Sequence, residues 1–221
     1  MSTLTEIPVV PLLDRLFEEA DATSPQTSLA FANVSAEESA RLMQSRTEYR
    51  AFYGALKDFA LPVSRETGRL LYMLARIVGV SSIVEFGTSF GNSTIHLAAA
   101  LRDNGGGRLI TSEFEPEKLA RARDNLIAAG LDDLVEFREG DALVTLATDL
   151  PETIDLLLLD GAKALYSDIL DRVEVRLRPG ALIVADNADH CPAYLERVRA
   201  PQSGYMSIPF GDEVELTIRL T

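Results

Sequence analysis

Cysteine is almost absent from this 221-residue chain. Cys191 is the single one, so no intrachain disulfide can form and a secreted, disulfide-stapled fold finds no support. The start lacks a basic stretch followed by an apolar one, and no apolar run is long enough to span a bilayer. The expected compartment is the cytoplasm, with no membrane partner. A basic surplus is missing too: 21 Lys and Arg face 34 Asp and Glu, a formal net charge of −13. Clamping nucleic acid needs a basic face, so that partner is not expected. Lysine is scarce, with Lys57, Lys118 and Lys163 alone, which makes each easier to interrogate. No repeat, low-complexity segment or linker breaks the chain. Its 47% hydrophobic and 25% charged residues suit one α/β domain with an extra terminal segment.

Residues 1 to about 30 are weakly patterned, and Pro8, Pro11 and Pro25 interrupt any long helix. From Ser35 the run SAEES reads as a helix start, continuing to about Phe59 before Pro62. A second helix should carry Leu70, Leu71, Leu74, Ile77 and Val78 on one face and end at Gly79. Strands are then expected at 82–86, 108–113, 134–138, 154–159 and 181–185. Helices are expected at 92–103, 116–129, 142–149, 165–177 and 192–199. The apolar runs IDLLLLD and GALIVAD indicate strands buried on both faces, hence a parallel sheet. The ending GYMSIPFGDEVELTIRLT reads as an antiparallel hairpin around an FGDE turn.

Ile83 to Leu101 forms a strand, a glycine turn at Gly87–Gly91 and an apolar helix, the arrangement that brings backbone N–H groups to a ligand. Glu113 closes the next strand, where a ribose-binding carboxylate belongs in a nucleotide-binding βαβ unit. An adenosine-containing cofactor is implied. The glycines stand four apart, which disfavours a nicotinamide dinucleotide, and no phosphate loop follows. Glu85, two residues before Gly87, suits a cationic ligand, so S-adenosylmethionine is the better chemical match. Ligands of open α/β sheets sit beyond the carboxyl ends of the strands, which groups Glu85, Gly87, Glu113, Asp141, Asp160 and Asp186 along one edge.

Several ordered segments resemble one family. They are LPVSRETGRLLYMLARIVGVSSIVEFGTSFGNSTIHLAAAL, TSEFEPEKLARARDNLIAAGL, VEFREGDAL, LLLLDGAKALY and GALIVADNAD, with the closing hairpin. From about residue 60 onward the chain resembles S-adenosylmethionine-dependent O-methyltransferases of the caffeoyl-CoA and catechol type. The resemblance implies a Rossmann-like class I sheet, mostly parallel with an antiparallel C-terminal hairpin and helices on both faces. It implies a methyltransferase domain over 60–221, with 1–59 as a helical extension serving as lid or dimer contact, and a homodimer. Val63 and Glu85 would approach the amino-acid part of the cofactor, with Gly87, Thr88 and Ser93 around its carboxylate and amine. Glu113 would take the ribose hydroxyls, and Asp141 and Ala142 the adenine; Asp160 also borders the cofactor.

The same likeness places a divalent cation on Asp160, Asp186 and Asn187, an oxygen-only set suited to Mg²⁺, with Ca²⁺ or Mn²⁺ as alternatives. Lys163 resembles the family's general base, its amine kept neutral by the nearby cation. The expected activity is methyl transfer to a hydroxyl of a small, aromatic, catechol-like molecule. Two alternatives stay open: a metal-independent small-molecule methyltransferase, and a non-catalytic cofactor-binding homologue. Gly161-Ala162 and the ADHCP segment depart from the family pattern, so the substrate wall should differ; Asp189 and His190 there read as solvated loop residues, with extra metal or substrate groups as the alternative.

Overall fold

The computed structural model describes residues 2–23, 25, 34–211 and 213–221. Seven strands form one sheet: β1 (Ser82–Phe86), β2 (Arg108–Glu113), β3 (Val135–Glu139), β4 (Ile154–Leu159), β5 (Leu177–Ala185), β6 (Tyr205–Phe210) and β7 (Val214–Arg219). Their order is β3-β2-β1-β4-β5-β7-β6. The pairs among β1 to β5 are parallel, and β7 runs antiparallel to both β5 and β6. This is the expected mostly parallel α/β sheet with its C-terminal hairpin. Asp212, in the expected FGDE turn, lies outside the described residues.

Alternation along the strands builds two cores. Ile83, Leu156, Leu158 and Val184 face one side; Val84, Leu157, Leu159 and Ile183 face the other. Because a parallel sheet is covered by helices on both faces, every residue of β1 and β4 is buried. Helices α4 (Arg65–Val78), α5 (Asn92–Asp103) and α6 (Pro116–Ala129) supply the first core, and α8 (Tyr166–Val173) and α9 (Pro192–Arg199) the second.

Four expectations need correction. Residues Val9–Ala22 form a helix, α1, despite their prolines. Pro8 is its N-cap and Pro11 lies in the first turn, where backbone N–H groups have no intrahelical acceptor to lose. Its Val9, Leu12, Leu13, Leu16 and Phe17 join the first core. The single helix expected from Ser35 is two, α2 (Ala36–Met43) and α3 (Tyr49–Gly54). Ser35 caps α2 as expected, but the Ser45 hydroxyl accepts the Glu48 N–H at 3.1 Å and starts a new turn. On α4 the buried face is Thr67, Gly68, Leu71 and Ala75, while Ile77 is exposed. Finally α7 is only Ala142–Thr145: the Arg138 guanidinium takes the Thr145 carbonyl, which a helix reaching residue 149 would use, along with those of Thr148 and Asp149.

Gly68 reveals how tightly α4 meets α5. A Cβ there would stand 2.7 Å from His96 Cε1 and Nε2. His96 cannot swing away easily, because its Nδ1 donates to the Asn92 carbonyl at 2.7 Å and Phe17 meets its ring edge-on. Gly68→Ala gains about 1 kcal/mol of helix propensity but overpacks this contact. We expect a net loss of about 1–3 kcal/mol in denaturant unfolding, relieved when His96→Ala is added.

Candidate active site

The carboxyl ends of β1, β2 and β4 open onto a cleft lined by Gly87, Ser89, Glu113, Asp141, Ala142 and Asp160. Glu113 is the best-defined group in it. One carboxylate oxygen accepts the N–H groups of Phe114 and Glu115 at 3.0 and 3.1 Å, the other that of Ser89 at 2.9 Å. Burial raises its pKa, opposed by these amides and by Lys118. Asp141 caps α7 through the Leu143 N–H at 3.0 Å and pairs with Arg50 of α3. Helix α3 also brings Tyr49 and Tyr53 to the cleft.

The sequence reading placed Val63, Glu85, Thr88 and Ser93 at the cofactor, and none of these lines the cleft. Val63 packs into the first core. Glu85 is fully buried and accepts the hydroxyls of Ser93 and Thr94, each at 2.6 Å, which fastens α5 to β1. Thr88 Oγ1 meets Thr111 Oγ1 at 2.6 Å inside the sheet. Gly87 does line the cleft, but its need for glycine is internal. Its φ is +103°, and a Cβ would stand 2.4 Å from the Asp160 carbonyl oxygen.

Beside the cleft lies a second cavity, lined by Asp160, Lys163, Asp186, Asn187 and His190 on one side and by Met43, Phe52, Leu56 and Pro62 on another. The three oxygen donors named from the sequence therefore border one space. Asn187 holds a left-handed backbone, φ 48°, a conformation asparagine tolerates. Burial first, and for Asp186 the neighbouring Asp160 charge next, push both carboxyls above the ordinary range; the two lie within hydrogen-bond reach of each other. Asp186 Oδ1 is buried without a hydrogen-bond partner. Among the described residues no three His, Cys, Asp or Glu side chains gather as a metal cluster, so Asn187 is the third donor or there is none.

Lys163 is buried at the end of this row. Its Nζ donates to Asp160 Oδ1 at 3.2 Å, to Tyr166 Oη at 2.8 Å and to the Asp186 carbonyl at 3.2 Å; Tyr166 Oη donates to that same carbonyl at 2.7 Å. Burial opposes the ammonium, yet Asp160 foremost among its neighbours raises the Lys163 pKa above the ordinary value. The acids alone therefore hold Lys163 as an ammonium. A neutral Lys163 requires that the charge of the acids be taken up elsewhere. Asp189 and His190 make an exposed pair at 3.5 Å, of which His190 alone lines the cavity.

Sequence reasoning missed Tyr166, Tyr53 and Arg50 as parts of the site. Tyr166 follows Lys163 by three residues, a visible helical spacing. Tyr49 and Tyr53 stood out only as an aromatic stripe, and nothing in the sequence paired Arg50 with Asp141. Gly161 is also explained by space, since a Cβ there would fall 2.5 Å from the Phe86 ring.

A family model described as a methyltransferase domain matches residues 84–188, which begin in β1 and run past Asn187. The chain has the class I methyltransferase fold. Catechol O-methyltransferase of Niastella koreensis is 39% identical over 131 residues, 58% of this chain and 58% of that protein. Catechol O-methyltransferase B of Danio rerio is 34% identical over 169 residues, 73% of this chain and 63% of that protein. The chain thus spans about three fifths of the length of these curated relatives. The O-methyltransferase TomG of Streptomyces achromogenes, involved in tomaymycin synthesis and solved with SAM, superposes with a TM-score of 0.61 at 26% identity, covering 92% of this chain and 99% of that one. The resemblance read from the ordered motifs is borne out. No helix among the described residues is long and apolar enough to cross a membrane.

Proposed function

We propose that this chain transfers the methyl group of S-adenosylmethionine to a hydroxyl of a small, catechol-like aromatic acceptor, assisted by a divalent cation, Mg²⁺ first, on Asp160, Asp186 and Asn187. One observation carries this reading: the cleft and the cavity share Tyr53, Leu61, Asp160 and Gly161, so a ligand in each would meet at that boundary. The cleft sets Glu113, Glu115, Asp141 and Asp160 against Arg50 and Lys118, an acidic surplus that favours a cationic cofactor over a pyrophosphate. Glu113 keeps a free lone pair on the oxygen that binds Ser89, where a ribose hydroxyl would donate.

The residues fit a hard cation. All donors are oxygens, and the orphaned Asp186 Oδ1 would gain the partner it lacks. A cation there would favour the ionised form of an acceptor hydroxyl, whose pKa near 10 otherwise leaves it a poor nucleophile at neutral pH. Lys163 Nζ, held by Asp160 and Tyr166, is placed to receive the hydroxyl proton once its ammonium is no longer favoured. Phe52, Leu56 and Pro62 supply an apolar wall for a flat ring and exclude water from it. Helix α3 serves as a lid, tied to the cleft by Arg50 and Asp141. The homodimer is proposed on the family likeness alone.

Methyl transfer to a panel of catechols, with and without EDTA, tests the reading. The expected result is a loss of at least about tenfold on chelation, restored by Mg²⁺. Transfer untouched by chelation removes the cation from the reaction.

A further inference from the structure

Tyr53 carries a buried hydroxyl whose own proton has no acceptor, with the Lys163 backbone N–H approaching its oxygen. Leaving such a group unpaired is costly, and a fold that keeps one calls for a reason. The ring sits against the second core, with Phe52 edge-on at 5.1 Å. Of the four residues shared by cleft and cavity, Leu61 and Gly161 have no polar side chain, and Asp160 already binds Lys163. Tyr53 therefore supplies the unengaged donor at the boundary, among the described residues. Its Oη lies close to Lys163, which lines the cavity and not the cleft, so the hydroxyl belongs to the acceptor end of that boundary.

We propose that Tyr53 is a substrate-contacting residue whose Oη donates a hydrogen bond to an oxygen of the bound acceptor, orienting the nucleophile toward the methyl group; this rests on the function proposed above. The bond satisfies the hydroxyl only in the complex with acceptor. Its energy therefore goes to alignment rather than to holding the free protein together.

Tyr53→Phe removes the hydroxyl and little else. Four quantities are compared with wild type: unfolding midpoint without ligand, S-adenosylhomocysteine affinity by calorimetry, 4-nitrocatechol binding to that complex by visible absorbance, and methyl transfer to catechol. The expected result is a raised midpoint, cofactor-product affinity within about twofold, and nitrocatechol affinity and catechol kcat/KM each down about tenfold. Unchanged nitrocatechol binding and transfer overturn the proposal. So does a loss confined to S-adenosylhomocysteine affinity, which would assign the hydroxyl to the cofactor. If wild type neither binds nitrocatechol nor methylates catechol, the acceptor class falls, and the midpoint decides Tyr53. A raised midpoint then keeps the hydroxyl as a group held at a cost for a ligand. An equal or lower one makes it a packing residue and overturns the proposal.

Discussion

Asp186→Asn will lower methyl transfer at least about 100-fold while leaving the fold at least as stable as wild type. The two halves of this expectation come from one atom. Asp186 Oδ1 is buried and unpartnered, and the carboxyl stands beside Asp160. In the free protein that is a liability: two acids crowd together and one oxygen is desolvated without return. An amide of the same shape relieves the repulsion, and we expect a gain of up to about 2 kcal/mol in denaturant unfolding. The bonds that position the segment survive, because Lys163 and Tyr166 bind the Asp186 backbone carbonyl and not its side chain. Linkage sets the sign with pH. Burial holds the Asp186 carboxyl above its unfolded value, so the folded state keeps the proton longer and wild-type stability falls as pH rises. The gap between variant and wild type therefore widens upward from the ordinary carboxylate pKa. A variant that is less stable, or that transfers methyl at the wild-type rate, contradicts the assignment.

Lys163→Met should fail in both respects. Its Nζ satisfies Asp160 Oδ1 and Tyr166 Oη and reaches the Asp186 carbonyl, all in a buried setting. Removing it leaves Asp160 charged or forces its protonation, and breaking a buried pair costs about 3–5 kcal/mol. Transfer should fall about 10²–10⁴-fold, the range of a lost general base. Lys163→Arg separates the two roles. A guanidinium preserves the positive charge beside Asp160 but does not give up its proton at any working pH. Denaturation should show most of the stability restored in Lys163→Arg while transfer stays at the Lys163→Met level. Recovery of the rate with arginine would mean that Lys163 serves only as a charge partner.

Much of this fold was legible because each element obeyed its own local rule. IDLLLLD and GALIVAD could only be strands buried on both faces, and β4 is buried at every position. The acids after β4 and β5 were predictable at the ligand edge from topology alone, and Asp160, Asp186 and Asn187 do share a cavity. Helix α1 was hidden by its prolines, whose harmlessness depends on sitting at the cap and in the first turn. Glu85 has a role that its place near Gly87 did not reveal: two hydroxyls in the first turn of α5 donate to its two oxygens. Gly87 and Gly161 were visible as glycines, yet the atoms that require them, the Asp160 carbonyl and the Phe86 ring, come together only on folding. Tyr53 was readable as one of a stripe of apolar and aromatic residues; its place between cleft and cavity was not, because it depends on how α3 crosses the sheet edge.

The most direct measurement is anomalous diffraction from crystals grown with S-adenosylhomocysteine and Mn²⁺. The account predicts a single strong peak bounded by side-chain oxygens of Asp160, Asp186 and Asn187, with the cofactor product in the adjoining cleft and Tyr53 between them. A well-ordered product in the cleft with no peak there, and Lys163 Nζ still seated on Asp160, would contradict it.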